Sequence, residues 1–155
     1  MKSGSISDET MLTMRGLPLF LLLALAILGW TAGPDYSPPP GALNPQVTQA
    51  NIAQTICVRG WTRTVRPPVQ YTGALKRRQM RERHLPGRPS EYQEDHLIPL
   101  ELGGHPTDPR NLWPQRLEEA QRKDVQEYAL NRAVCANRML LTTAQERIKD
   151  PRTWH

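Results

Sequence analysis

Residues Leu17–Leu28 are apolar apart from Pro18, and they divide the chain into a leader and a part that can build a fold. A helix needs roughly 20 apolar residues to cross a bilayer. This stretch is shorter, and its length suits the apolar centre of a secretory signal. Arg15 precedes it and Gly29–Gly33 follow, small residues apart from the bulky Trp30, whereas Pro18 and that glycine-bearing exit argue against a buried core helix. Asp8 and Glu9 oppose the positive charge a leader begins with, and a start at Met11 or Met14 removes them. Residues 1–32 are therefore expected to be a signal peptide or an uncleaved membrane anchor. The protein is expected to be exported: periplasmic, secreted, or held at the inner membrane.

The 122 residues after Gly33 suffice for one modest core. Five prolines between Gly33 and Pro45 deny that segment ladder hydrogen bonds, so residues 33–46 read as an extended linker and residues 47–155 as the domain. Two cysteines exclude both a disulfide-dense scaffold and a four-cysteine zinc ribbon. In an oxidising compartment, Cys57 and Cys135 are expected to pair. The net charge of +5 rests on 20 Lys and Arg residues, 16 of them Arg. That balance excludes an acidic disordered tail.

Along the domain, Val47–Val58 predicts a short helix leading to a strand at Ile56–Val58. A helix is predicted over Gly73–Leu85, capped by Thr72 and stopped by Pro86-Gly87. Tyr92–Leu102 carries β-favouring Leu97-Ile98, and Asn111–Trp113 resembles a second strand stopped by Pro114. A glycine-bearing loop between them suggests a hairpin. From Leu117 the chain turns helical, with Leu117, Ala120, Asp124, Tyr128 and Arg132 near one stripe. Thr143 and Glu146 form a capping-box pattern for a last helix over Ala144–Lys149. The fold class is α+β: a hairpin followed by a helix, with flanking helices.

The chemistry concentrates in Glu94–Gln115. Asp95 and His96 are adjacent at the end of a predicted strand. Neighbouring strand residues point to opposite faces, so both reach one site only where the strand ends or bulges, and Pro99 favours that. A carboxylate holds a hard cation through oxygen, and an imidazole takes a proton from water. Together they make a minimal kit for hydrolysing a phosphodiester.

Asp95-His96, Pro99-Leu100, Gly103-Gly104 and Asn111-Leu112 resemble the His-Asn-His (HNH) endonuclease motif of the ββα-metal fold. The wider chain is similar to an uncharacterised exported HNH-like group. That similarity rests on Ile56–Val58, Gly60–Thr62, Arg66–Pro68, Tyr71-Thr72, Glu94–Gly104, Asn111–Pro114, Lys123-Asp124 and Ala144-Gln145. The resemblance implies a divalent metal ion, Mg²⁺ or Mn²⁺, held by Asp95, with His96 as general base and Asn111 tying the loop that orients it. The family's third element, a His or Asn on the following helix, falls at Ala120. Gln121 beside it, with a weak amide oxygen, is the expected second metal ligand because of its slot, and Glu118 or Glu119 offers a carboxylate. Lys123 could meet phosphate and Asp124 metal.

From Arg59 to Arg88 there are nine bases and one acid, Glu82. Arginine's planar fork suits phosphate oxygens, so Arg77, Arg78 and Arg81, with Lys123, are candidate contacts to a nucleic-acid backbone. The absence of any base-reading helix predicts sequence-tolerant, salt-sensitive binding. The expected function is an exported metal-dependent nuclease acting on DNA or RNA. The alternative is a catalytically lapsed HNH-fold module that binds nucleic acid or the anionic envelope through its arginines. His105 reads as a loop residue.

Overall fold

The computed structural model describes residues 32–154; the expected leader lies outside them except for Ala32. Among the described residues, no helix is long and apolar enough to cross a membrane. The protein is mixed α+β. Helices α1 (Trp61–Val65) and α2 (Val69–Glu82) precede strand β1 (Tyr92–His96). Strand β2 (Leu112–Arg116) then leads directly into α3 (Leu117–Cys135), and α4 (Leu141–Ile148) follows. Short 3-10 turns at Gln49–Gln54, Pro89–Glu91, Leu100–Leu102 and Pro151–Thr153 complete the order.

β1 and β2 pair antiparallel, with Asp95 opposite Trp113 and Glu94 opposite Pro114. The Leu97 amide donates to the Asn111 carbonyl at 2.8 Å and so sets the alternation of the ladder. Positions 95 and 93 then face their partners as hydrogen-bonded pairs, and positions 96, 94 and 92 do not. Pro114 therefore sits where no ladder N–H is needed, and β2 runs through it instead of stopping there. Two of the outward carbonyls on the free edge of β1 are taken by lysines. Lys76 Nζ donates to Tyr92 O at 2.6 Å, and Lys123 Nζ to His96 O at 2.7 Å. On β2 the outward Leu112 carbonyl accepts from Gln79 of α2 at 2.9 Å.

Other sequence expectations shift in detail. Ile56–Val58 is a turn, and α2 begins at Val69, three residues before Thr72. Leu97 and Ile98 leave the strand and bury themselves in the core. The inward stripe of α3 is Ala120, Lys123, Leu130 and Val134, while Leu117 and Tyr128 are exposed. Helix α4 starts at Leu141, ahead of the Thr143 cap. Leu97, Ile98, Leu102, Trp113, Val134 and Ile148 lie at the centre of the main core.

Cys57 and Cys135 are disulfide-bonded across 78 residues with Cα atoms 5.5 Å apart, joining the segment before α1 to the end of α3. The proline-rich segment differs from a free spacer. The Gly41 amide donates to Arg110 O, the Asn44 amide to Gly103 O, and the His105 amide to Ala42 O, each at 2.8 Å. The prolines forbid a regular strand but leave these amides free to bond, and the segment straps the loop between the two strands.

Candidate functional site

Asp95 and His96 line one cavity of about 80 Å³ at the end of β1, room for two or three waters. Thr62 and Arg66 from the α1 end, Glu101 from the interstrand loop, and Asp124 and Glu127 from α3 also line it. The strand ends at His96. That ending lets two neighbouring residues serve one site.

His96 Nε2 lies 3.0 Å from Pro106 O. A carbonyl only accepts, so Nε2 carries the proton and Nδ1 is left as the basic nitrogen. Burial pushes the His96 pKa below 6.5, against the opposing pull of the Pro106 carbonyl and of Asp95. The ring is therefore neutral, and competent as a base, at physiological pH.

The loop that supplies Pro106 is pinned by Asn111, which is fully buried. Its Oδ1 accepts from the Ile98 amide at 2.9 Å, and its Nδ2 donates to Ile98 O at 2.9 Å and His105 O at 3.1 Å. Gly104 makes this closure possible: a Cβ there would lie 1.7 Å from Ile98 O and 2.7 Å from Asn111 Nδ2. His105 stays a loop residue, its Nδ1 accepting from the Asp108 amide at 3.0 Å.

Beneath the cavity lies Lys123, with no exposed side-chain surface. Its Nζ donates to Asp95 Oδ2 at 2.9 Å, to His96 O and to Glu127 Oε1. Burial pulls its pKa down, but Asp95 and Glu127 outweigh that and hold it charged. Glu101 and Asp124 are pushed up, first by burial and then by neighbouring carboxylates.

The structure brings Asp95, His96, Asn111 and Lys123 together with Asp124, and leaves Gln121 and the α2 arginines elsewhere. Gln121 is exposed and not among the residues lining the cavity; Ala120, in the third-element slot, is apolar and 1% exposed. Arg77, Arg78 and Arg81 are exposed on α2, and Arg77, Arg81 and His84 line a separate open cavity of about 510 Å³. Lys123 spends its three protons inside the protein, and the cationic side chain lining the cavity is Arg66 instead. Sequence reasoning missed the roles of Arg66, Glu101 and Glu127. Glu127 carried a signal, since a carboxylate four residues after Lys123 shares its helix face.

Asp95 Oδ1 accepts from Gln93 Nε2 at 3.0 Å and Oδ2 from Lys123, and Gln121 is exposed outside the cavity. Among the described residues, no group of three His, Cys, Asp or Glu side chains is placed to hold a metal ion. With both Asp95 oxygens already accepting from nitrogen donors and Gln121 outside the cavity, the two residues expected to hold the divalent ion do not make a site for it as they stand. No family model, curated protein or solved structure matches the chain.

Proposed function

We propose that the domain is an exported nuclease with a ββα core of the HNH kind, hydrolysing phosphodiester bonds of DNA or RNA with little sequence preference. The observation that carries the reading is the His96–Pro106 contact, which leaves Nδ1 as the basic nitrogen of a neutral imidazole on a residue that lines a polar, water-sized cavity. In this reading, Nδ1 takes a proton from water or from a ribose 2′-hydroxyl, and that oxygen attacks phosphorus. Arg66 neutralises the phosphate through its guanidinium. The departing oxygen needs a proton, and Glu101, whose neutral form burial favours, lines the same cavity as a source. Asp95 and Asn111 hold His96 and its loop in place.

Arg66→Ala tests the phosphate role. The expected result is cleavage reduced about 10- to 100-fold with an unchanged melting temperature, since Arg66 is exposed and its substitution strands no buried partner. An unchanged rate contradicts the assignment.

A second reading, a binding module without turnover, draws on the Arg77–Arg81–His84 cavity. It predicts nucleic-acid binding that weakens steeply with salt and is lost in Arg77→Ala/Arg81→Ala, with no cleavage by the wild type.

A further inference from the structure

Lys123 is the one lysine or arginine among the described residues that is buried. Burying an ammonium costs several kcal/mol unless oxygen ligands compensate, and here three do: the Asp95 and Glu127 carboxylates and the His96 carbonyl. The Trp154 ring lies 5.8 Å from Nζ and adds its π face. The ammonium thus sits against the carboxylate expected to hold a divalent ion, beside the candidate base, and ligated by oxygen as a hard cation would be. Nζ has three protons and three acceptors, so nothing is left over for a phosphate.

We propose that the Lys123 ammonium is the resident cation of the Asp95–His96 site, filling the place of a divalent ion and fixing both residues, so that the site needs no added metal. Lys123 is a positioning residue in this account. Its side chain is out of solvent's reach and acts through Asp95, through the backbone of His96 and through Glu127. The statement about cleavage rests on the nuclease reading above; the statement about cation binding does not, and the experiment reads binding.

The test uses the full oxidised chain in mild detergent, titrated with Mn²⁺ and followed by water-proton relaxation and by melting temperature. The wild type is expected to show neither relaxation enhancement nor a rise in melting temperature. Lys123→Ala leaves the Asp95 and Glu127 carboxylates and a carbonyl around an ammonium-sized space. It is expected to melt lower, to bind Mn²⁺ at least about tenfold more tightly than the wild type and to regain stability with the ion. Asp95→Asn added to Lys123→Ala should abolish that gain. Mn²⁺ binding by the wild type that Asp95→Asn removes would overturn the proposal. So would a folded Lys123→Ala protein that binds no more Mn²⁺ than the wild type. Should Lys123→Ala fail to fold, the wild-type titration with Asp95→Asn alongside decides alone. Where the wild type cleaves nucleic acid, its rate should be the same in chelator as in Mg²⁺; a rate that chelator abolishes contradicts the proposal.

Discussion

His96 donates its Nε2–H to the Pro106 carbonyl 3.0 Å away, and that single bond decides which ring nitrogen can act as a base. Pro106 holds its position because Asn111 fastens the His105 carbonyl one residue earlier. The candidate chemistry therefore depends on a loop whose closure is a matter of backbone hydrogen bonds.

The pH dependence of cleavage follows from His96. Burial lowers its pKa from 6.5, so the neutral base is populated further into acid than an ordinary histidine would be. The acid limb of kcat/KM against pH is expected to have its midpoint below 6.5. A midpoint above 6.5 would mean that the ring is exposed or that another group is the base.

Asn111→Ala removes two buried hydrogen bonds and one part-buried one, and leaves the Ile98 amide and two carbonyls without partners. Unfolding in denaturant should show a loss of roughly 2–4 kcal/mol. Gly104→Ala should be at least as costly, because its Cβ meets backbone instead of a yielding side chain. Near-neutral stability in either variant would show that the loop closes differently.

Glu94 has both carboxylate oxygens buried without hydrogen-bond partners, between the α2 bases and Asp95. Burial pushes its pKa up from 4.5 to about 8, although Lys76, Arg83 and Arg78 pull the other way. Across that window the folded chain binds the extra proton, so this group's stabilising contribution is complete below about pH 4.5 and is lost as pH rises towards 8. Glu94→Gln should flatten the slope and exceed the wild type at pH 8 by on the order of 1–3 kcal/mol. Chemical denaturation at several pH values checks this; parallel curves for the two proteins would refute it.

The Cys57–Cys135 bond ties the segment before α1 to the far end of α3. A loop of this length is worth on the order of 4 kcal/mol in the chain-entropy account. Cys57→Ser/Cys135→Ser should lose about that much and become insensitive to reductant. A double variant as stable as the oxidised protein would deny the bond a stabilising role.

The order hairpin-then-helix was legible because Gly103-Gly104 and the prolines mark the loop and the apolar residues of α3 begin soon after Pro114. The pairing of the two cysteines was legible from their number and the expected compartment. The path of β2 through Pro114 was not, because whether a proline breaks a strand depends on which side of the ladder its missing N–H falls, and only the register decides that. Lys123 escaped for a related reason. Its spacing from Asp124 and Glu127 is compatible with a solvated helix face, and the rotation that turns it inward is set by Ala120, Leu130 and Val134 packing on the core. Arg66 was read within a basic run and as part of the Arg66–Pro68 phrase, but not as a site residue, since nothing local links it to a strand 30 residues later.

The central claim is that His96 is the base of a nuclease. It is tested most directly by cleavage of plasmid DNA and total RNA by the oxidised protein, with His96→Ala in parallel and its folding verified by melting. The account predicts that the wild type cuts at least one of the two, and that the variant cuts it slower by about 10²- to 10⁴-fold. Equal rates in the two proteins, or a folded wild type that cuts neither nucleic acid, would contradict it.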